Sequence, residues 1–468
     1  MAAKHIIVIG AGISGLAAAY RAMRAGTRVT LLEAGARAGG VIETRHVDDC
    51  LLELGPDCWA SNKPAAVALV RELGLESELI GTREGVRRSF ILHKGTLKRL
   101  PEGFFLISPM SIGALVRTSI LSPLGKLRMA TELCRGVRRD DADESLAAFV
   151  RRRFGREALD RIAQPMIAGI YTADPEKLSL QATFPQFIAM EREHGSVIRA
   201  LRRKARSEQG KSTGGEVAKA AGPRYGMFVT MKSGMSTLTN ALANALPDGS
   251  LRLNTPVQSI RRDDNGWVVN AGDEIKADAV ILALPAHRSA SLLQPVDAGL
   301  AAALAQVEYA GASVVNFTFD RAQVGHAMDG IGAVIPAVEQ RRIVAFSFSS
   351  VKFEGRAPEG RAIVRVFMGG ALQPEIAKLP PAELAQVALS EIRGLVGVTG
   401  EPRSVTASSH LGAMAQYHVG HLARVARIRE LAASHPSLAI CGNGFDGVGI
   451  PDCVRNAEQA VKALVEAS

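Results

Sequence analysis

The sequence predicts an α/β protein built around a Rossmann-like nucleotide-binding domain. Three observations support this fold class. An apolar run at residues 6–9 leads directly into the pattern G-x-G-x-x-G at residues 10–15, and a second apolar run at residues 29–32 ends at Glu33. From residue 439 onward, an apolar run is again followed by a glycine-rich turn and a helical pattern. The chain therefore offers two helix N-termini to one anionic ligand.

The first glycine pattern predicts an adenine dinucleotide site. Gly10 allows the tight turn out of the strand, Gly12 lets a pyrophosphate approach the backbone, and Gly15 lets the helix pack closely on the strand. Glu33, at the end of the next strand, can accept hydrogen bonds from the ribose hydroxyls. The predicted contacts in this unit are Gly10, Ala11, Gly12, Ile13, Ser14, Gly15, Glu33 and Ala34.

The composition is that of a large globular protein. The chain has 468 residues, of which 47% are hydrophobic and 22% charged, so we expect two or three domains. No apolar run reaches the roughly 18 residues of a membrane-spanning helix, and a strand beginning at residue 6 leaves no room for a signal peptide. The five cysteines form no C-x-x-C pair, which predicts neither a metal site nor disulfides and suits a reducing cytoplasm.

The net charge of +10 predicts a surface that attracts anions. Nucleic acid is a poor candidate, because its usual binding signatures are missing and the basic residues are not interleaved with aromatic ones. An anionic membrane surface or a polycarboxylate substrate fits the charge better. An ordinary basic, solvated surface explains it equally well.

The middle of the chain contains further strand patterns. Alternating runs on both sides of residues 263–266 predict a hairpin, and the continuous apolar run at residues 279–284 predicts a buried parallel strand. Strand-like runs at residues 313–319, 343–349 and 362–368 predict a second sheet. Such a sheet beside the nucleotide domain would form the wall of a substrate site.

Residues 103–206 are rich in helix patterns and in basic residues. Residues 143–146 indicate a capped helix start. Apolar residues between 104 and 121 lie near cations at positions 117–139. This mixture is typical of a segment that docks on a membrane surface, and also of an amphipathic core helix. By itself the pattern favours the core helix.

A second glycine pair, Gly39 and Gly40, indicates which dinucleotide binds. An NAD-dependent enzyme would continue into its third strand without such a pair. The run at residues 33–40 resembles the extension found in FAD-dependent oxidases of the amine oxidase and protoporphyrinogen oxidase superfamily. The resemblance implies FAD as cofactor, with the glycine pair near its phosphates and the turn Gly55-Pro56 near the flavin ring.

Residues 168–179, followed by Thr183-Phe184-Pro185, resemble the signature of the protoporphyrinogen oxidase family, which includes bacterial coproporphyrinogen III oxidases. Further matches lie at residues 348–353, 367–370, 416–421 and 447–453. They follow the family order through nearly the whole chain, so the resemblance extends beyond the nucleotide fold.

The resemblance implies three domains. They are a discontinuous FAD-binding domain of p-hydroxybenzoate hydroxylase-like fold, a mixed α+β substrate domain and a helical membrane-associating domain. The expected boundaries are 1–88, 226–288 and 410–468 for the first, 89–107, 209–225 and 289–409 for the second, and 108–208 for the third.

The implied activity is the oxygen-dependent removal of six electrons from protoporphyrinogen IX, which gives protoporphyrin IX and hydrogen peroxide. The implied partners are the porphyrinogen, molecular oxygen and a membrane surface, with a second copy of the chain and ferrochelatase as further candidates. We expect a cytoplasmic protein attached peripherally to the cytoplasmic membrane.

By position in the family motifs, the resemblance also implies site residues. The further FAD contacts are Gly39, Gly40, Gly55, Pro56, Asp57, Cys58, Val257, Asn443, Val448, Gly449 and Ile450. The porphyrinogen cavity is expected to be lined by Ala168, Gly169, Val334 and Phe367. Related enzymes often carry a propionate-binding arginine where this chain has Ser89, so Arg88 or Arg87 is expected to replace it. A family glycine is replaced by Ala173.

No acid–base constellation is evident, so we predict no catalytic side chain. The histidines at positions 194, 410, 418 and 421 qualify by type only, and a backbone carbonyl near Gly169 is the predicted partner of the pyrrole N–H groups. Three alternatives stay open: a coproporphyrinogen III oxidase, a flavin amine oxidase or carotenoid desaturase, and a non-catalytic FAD-binding porphyrin carrier. Val41, where amine oxidases commonly carry arginine, counts against the second.

Overall fold

The computed structural model describes residues 4–86, 88–100, 103–209, 228–264 and 266–466, with the backbone alone at residues 205–209. Arg87, position 265 of the predicted hairpin turn and residues 210–225 of the predicted substrate domain lie outside the described residues. The described chain forms a parallel sheet, a larger mixed sheet and a helical region.

The parallel sheet combines strands from three separate stretches of the chain. Its order is Leu251–Arg252, Arg28–Leu32, His5–Ile9, Ala279–Leu282 and Leu438–Ile440, and all neighbouring strands run parallel. The predicted strands at residues 6–9, 29–32 and 279–284 are therefore confirmed. Their continuous apolar runs follow from burial on both faces of the sheet.

Alternate residues of the central strand face two different layers. Ile6 and Val8 pack against helices on one face, which are Ile13–Arg24, Pro64–Glu72, Ser236–Asn244 and Ile450–Glu466. Ile7 and Ile9 pack against the opposite layer, which holds the strands Ser259–Asp263, Gly266–Asn270 and Glu274–Ala277 and the helices Ala286–Leu293, Ala298–Ala305 and His421–Ala432. The first two of these strands pair antiparallel, as the hairpin pattern predicts.

The larger sheet has seven strands. Their order is Ser404–Ala415, Tyr309–Asp320, Arg361–Gly369, Ala345–Phe348, Gly332–Val334, Phe90–His93 and Thr96–Arg99. The three strand-like runs of the sequence are confirmed as members of this sheet. The strand Ser404–Ala415 crosses the expected boundary between residues 409 and 410, and the division into domains stays a prediction.

The two faces of the larger sheet differ in polarity. Val364 and Val366 pack under the helix Pro381–Val396 in an apolar core. Arg365 and Phe367 alternate with them and therefore point to the opposite face. In the register Arg365 lies opposite Asn316, so this second face carries polar groups.

The helical region contains the helices Ile112–Arg117, Pro123–Ala130, Leu146–Arg153, Arg156–Ala158, Gln164–Tyr171, Leu180–Thr183, Pro185–His194 and Val197–Gln209. Phe149 and Phe187 are fully buried in its core. The predicted helix start is confirmed, because the Ser145 hydroxyl accepts a hydrogen bond from the Ala148 amide at 3.1 Å.

Shorter elements connect these units. The strands are Thr44–Val47, Cys50–Glu53, Trp59–Ala60, Leu79–Gly81, Phe104–Phe105, Ser108–Pro109 and Phe228–Met231, and the α-helices are Ser349–Lys352 and Pro374–Ala377. The 3₁₀ and π turns are Glu76–Glu78, Thr131–Cys134, Leu159–Ala163, Arg321–Gln323 and Ala337–Glu339.

The apolar residues near the start of the helical region divide into two groups. Leu115, Ile120 and Leu121 are buried in its core. Val116, Leu124 and Leu127 are 63%, 78% and 65% exposed, and the Lys126 ammonium lies among them, bonded to the Val116 carbonyl at 2.7 Å. The core-helix interpretation, which concerns residues 104–121, is therefore right for the first group and wrong for Val116, while Leu124 and Leu127 lie outside that run. In the described part of the chain, no helix has the length and apolar character needed to cross a membrane.

A buried ion pair joins the helices of this region. The Arg153 and Glu132 side chains have no exposed surface, and Arg153 Nε donates to Glu132 Oε1 at 2.9 Å. Glu132 also accepts hydrogen bonds from the Ser196 hydroxyl and, at 2.9 Å, from the Val197 amide. It thereby caps the helix that begins at Val197. These bonds compensate the desolvation of both charges.

Glu132→Gln removes the nearer carboxylate from the buried Arg153 cation and leaves Glu191, 3.4 Å from Arg153 Nη1, as its charged partner. We expect the free energy of unfolding to fall by about 2 kcal/mol or more. Urea unfolding followed by circular dichroism measures the change. The matched control is Arg99→Gln, which breaks an exposed ion pair with Asp329 and is expected to cost under about 1 kcal/mol. Equal effects of the two substitutions would contradict the role of the buried pair.

Candidate functional site

The first glycine turn is built for a close ligand. Gly10 has a φ of +98°, and a Cβ on Gly15 would lie 1.7 Å from the Gly10 carbonyl oxygen, so neither tolerates a side chain. Gly12 directly precedes the helix Ile13–Arg24, and no described atom lies within 4 Å of the place where its Cβ would be. The helix N-terminus therefore faces open space, which an anionic group can enter.

Glu33 lies where the dinucleotide pattern predicts it. Its Oε2 accepts a hydrogen bond from the Ala11 amide at 2.7 Å, and its Oε1 accepts one from the Gly35 amide at 2.8 Å. A carboxylate has about four acceptor positions, so two remain for a ribose. The Glu33 carbonyl also accepts from the Thr255 amide at 2.8 Å, which brings the segment with Val257 to this edge.

The second glycine pair packs on the first turn. The Gly39 amide donates to the Ala11 carbonyl at 2.8 Å, and a Cβ on Gly40 would lie 3.1 Å from the Gly12 Cα. A Cβ on Gly55 would lie 1.7 Å from the Val41 carbonyl oxygen. The turn that contains Gly55 and Pro56 is thus joined to the dinucleotide loop through backbone packing that excludes side chains.

The C-terminal loop at residues 442–449 is held by residues that sequence reasoning did not assign to the cofactor site. The Tyr417 hydroxyl donates to the Asn443 carbonyl and accepts from the Gly447 amide, both at 2.7 Å. The His421 ring stacks on Tyr417 with 3.8 Å between centroids and bonds the Phe445 carbonyl at 2.8 Å. This loop leads into the helix that begins at Ile450, so its shape fixes where that helix N-terminus points.

The two helix N-termini meet. Cys453, in the first turn of the C-terminal helix, lies next to Ser14 in the first turn of the N-terminal helix. Burial raises the pKa of Cys453 to about 11 and that of Cys441 to about 12, so both thiols stay protonated. They serve packing rather than nucleophilic chemistry. Val448, Gly449 and Ile450 lie at this junction, and their contacts with the cofactor stay a prediction.

Two of the four candidate histidines, His410 and His421, bond backbone carbonyls of loops. His410 Nε2 bonds the Leu54 carbonyl at 2.8 Å, directly before Gly55. His418 Nδ1 lies 3.3 Å from Glu308 Oε1, and His421 is fully buried. His194 Nδ1 is buried without a hydrogen-bond partner among the described residues. Among the described residues, no hydrogen bond joins any two of these four histidines.

The predicted substrate residues come together in part. The Cβ position of Gly169 lies 3.6 Å from Val334 Cγ1, and the register places Val334, Ala345 and Phe367 in one row across the larger sheet. Ala168 lines a small adjacent cleft together with Pro336 and Gln373. Arg88 is exposed, and its carbonyl accepts from the Ile331 amide at 2.8 Å. Its role toward a substrate stays a prediction.

A buried ion cluster lies beside Gly55, and the sequence did not predict it. The Asp57 carboxylate accepts from Lys352 Nζ at 2.8 Å, lies 3.2 Å from Arg365 Nη1 and accepts from the Cys58 thiol at 3.2 Å. Arg365 also donates to the Gly55 carbonyl. The sequence signal that could have found the cluster is Arg365 itself, a charge in the middle of an otherwise apolar strand.

The residues fit an adenine dinucleotide, because two helix N-termini, a side-chain-free approach at Gly12 and an acidic residue converge.

The chain matches the model of the flavin containing amine oxidoreductases over residues 13–465. It is 35% identical to coproporphyrinogen III oxidase of Propionibacterium freudenreichii subsp. freudenreichii over 99% of this chain and 91% of the relative. It is 31% identical to coproporphyrinogen III oxidase of Bacillus subtilis (strain 168), over 98% of this chain and 97% of that one.

A solved structure gives the same result. A protein from Exiguobacterium sp. 255-15, assigned as a protoporphyrinogen oxidase, superposes with a TM-score of 0.89 at 28% identity and with full coverage of both chains. The chain therefore belongs to the flavin-containing amine oxidoreductases. Within them it is a member of the protoporphyrinogen oxidase family, an FAD oxidoreductase, as the motifs indicated. The prediction of FAD as cofactor is confirmed, while the roles of single site residues stay predictions.

The substitution Gly12→Ala tests cofactor binding separately from folding. Because no described atom approaches the Cβ position, we expect the melting temperature of the apoprotein to stay near that of the wild type, whereas FAD affinity falls at least tenfold. Titration of apoprotein with FAD, followed by flavin fluorescence, measures the affinity. Gly15→Ala is the matched comparison, since its Cβ would collide with the Gly10 carbonyl and destabilise the apoprotein as well. Undiminished FAD binding by Gly12→Ala would refute the predicted contact.

Proposed function

We propose that this protein catalyses the oxygen-dependent oxidation of a porphyrinogen to a porphyrin, with hydrogen peroxide as by-product. The observation that carries the proposal is the full-length similarity to porphyrinogen oxidases, together with the sheet face that carries Phe367, whose Arg365 donates to the carbonyl of Gly55 in the predicted flavin turn. FAD, when bound, supplies the acceptor for the hydride that leaves each methylene bridge.

The chain itself has the task of binding and orienting the substrate. We assign the larger sheet and the Gly169 helix as the walls of the substrate cavity, in the mixed α+β domain expected from the sequence. At the C-terminal end of the helix Gln164–Tyr171, the carbonyls of Ala168 and Tyr171 already accept hydrogen bonds within the protein. We therefore assign the carbonyls of Gly169 and Ile170 as the acceptors of pyrrole N–H groups. Burial raises the pKa of the nearby Tyr171 to about 12, so its hydroxyl stays neutral and can act only as a hydrogen-bonding group.

Two porphyrinogens are candidates for the substrate. Protoporphyrinogen IX is the substrate predicted from the motifs, in line with the name given to the Exiguobacterium protein. Coproporphyrinogen III carries more carboxylates, and it is favoured by the names of the two bacterial relatives and by the net charge of +10. Between the two, these observations favour coproporphyrinogen III.

Anaerobic mixing of the purified FAD-bound protein with each porphyrinogen tests the proposal. We expect the flavin absorbance to bleach with both compounds, and at least tenfold faster with the true substrate. Admission of oxygen should restore the colour and release hydrogen peroxide. The apo form of Gly12→Ala controls for spontaneous oxidation.

The outcomes separate the alternatives. Yellow protein that neither porphyrinogen bleaches would support the porphyrin-carrier alternative, and bleaching by an amine alone would support the amine oxidase. Fast reoxidation by a quinone with slow reoxidation by oxygen would contradict the proposed acceptor.

We also propose that the protein binds peripherally to the cytoplasmic membrane through Val116, Leu124 and Leu127. Exposed apolar side chains beside Lys126 and Arg117 suit an anionic lipid surface. A docking surface of this kind needs no spanning helix. A second copy of the chain and ferrochelatase remain further proposed partners.

Leu124→Glu combined with Leu127→Glu should abolish this attachment. We expect the double variant to lose at least tenfold in affinity for vesicles of anionic and neutral phospholipid, because charged groups replace the apolar contact. Co-sedimentation measures the affinity. Val405→Glu, at another exposed apolar residue on the larger sheet, is the control and should bind as the wild type does. Equal binding by all three proteins would disprove the assigned surface.

A further inference from the structure

The buried ion cluster of Asp57, Lys352 and Arg365 joins the Gly55-Pro56 turn, the predicted flavin contact, to the larger sheet. Asp57 follows the Gly55-Pro56 turn, Lys352 ends the short helix Ser349–Lys352, and Arg365 lies on the inner face of the larger sheet. Only 13%, 12% and 2% of their side-chain surfaces are exposed. Lys352 Nζ also lies 5.0 Å from the centre of the Phe353 ring.

The cluster contains more positive than negative charge. Burial opposes the charge on Asp57, but the Lys352 and Arg365 cations outweigh it and hold the pKa of the carboxyl well below its usual range. Burial also opposes the charge on Lys352, but Asp57 outweighs it and raises the pKa of the ammonium. Two cations thus share one carboxylate.

Two further buried charged groups, Glu53 and Arg356, adjoin the cluster; they are of opposite sign, so the excess of one positive charge remains. Glu53 is the neighbouring acid, and burial raises its pKa; its oxygens already accept from the Met235 amide and the Thr44 hydroxyl, both at 2.8 Å. Arg365 Nε is buried and has no acceptor among the described residues. An uncompensated buried cation is costly, so this arrangement suits an anion that arrives with the cofactor or during its reduction.

The cluster is tied to the cofactor loop by direct contact. Arg365 donates to the Gly55 carbonyl, and Gly55 packs on Val41, next to the glycine pair that abuts Gly12. A movement of Lys352 or Arg365 would therefore shift the turn that is expected to contact the flavin. Charge close to the flavin ring is one of the means by which a protein tunes its electronics.

We propose that Asp57, Lys352 and Arg365 form a positioning cluster that fixes the Gly55-Pro56 turn, and whose excess positive charge stabilises the reduced, anionic flavin. The inference rests on the proposed function and on the prediction from the family resemblance that this turn contacts the flavin. Lys352 and Arg365 act through charge and through Gly55, and they need not touch the substrate.

Lys352→Met tests the charge, with Lys352→Arg as the conservative variant. The probe is sulfite, an anion whose binding to oxidised flavin is strengthened by positive charge near the ring. For Lys352→Met we expect at least a tenfold loss of sulfite affinity and a reduction potential lower by about 30 mV, the equivalent of tenfold for a two-electron couple. Lys352→Arg should stay within about threefold of the wild type, a small effect beside tenfold.

Asp57→Asn is expected to change the sulfite affinity in the direction opposite to Lys352→Met, which a loss of packing cannot do. It removes the negative charge and keeps Arg365 positive, so we expect sulfite affinity to rise rather than fall. This variant also carries the test if Lys352→Met is isolated without FAD. Arg21→Met is the matched control, because it removes a half-buried cation paired with Glu72 and Glu458 in the later part of the first helix.

Unchanged sulfite affinity and potential in FAD-bound Lys352→Met would overturn the inference, as would equal losses in Lys352→Met and Lys352→Arg. A fall in affinity in Asp57→Asn would also overturn it. These outcomes are distinct from failure of the proposed function. Wild-type protein that binds FAD and sulfite but is bleached by no porphyrinogen would refute the proposed substrate alone.

Discussion

The close approach of backbone segments around Gly12 is the constraint on which the rest of the structure depends. A dinucleotide phosphate can reach a helix N-terminus only where no side chain intervenes. Gly15 must contact the Gly10 carbonyl, Gly40 must contact Gly12, and Gly55 must contact the Val41 carbonyl. Each of these contacts fixes the next segment of chain, so the cofactor loop determines the position of the turn at Gly55.

The same constraint explains why the site is assembled from distant parts of the chain. The parallel sheet brings the strand at Leu438–Ile440 beside the strand at Ala279–Leu282, and the C-terminal helix then meets the first helix where Cys453 contacts Ser14. Tyr417 and His421 hold the intervening loop by hydrogen bonds to its backbone. A site built in this way has rigid walls, as a cofactor that must be oriented against a substrate requires.

Buried charges appear at the two places where large units join. In the helical region Arg153 and Glu132 link three segments, and beside the larger sheet Asp57 links the cofactor turn to Lys352 and Arg365. The first group is balanced by its own hydrogen bonds and has a structural role. The second has one more cation than the described acids balance, which suits a neighbouring anionic group. The same kind of interaction thus serves stability in one place and the cofactor in the other.

The sequence by itself determined the nucleotide fold, FAD as the cofactor and the family, because these depend on local patterns: a strand that leads into Gly10, the acid at Glu33 and motifs such as residues 168–179. It also predicted the strands of the larger sheet from their alternation. Only the tertiary structure decided that Lys352 meets Asp57, that Arg153 meets Glu132, and that Leu124 is exposed while Leu121 is buried. The physical reason is that contacts between residues far apart in the chain depend on how whole sheets and helices pack, and local periodicity does not specify that packing.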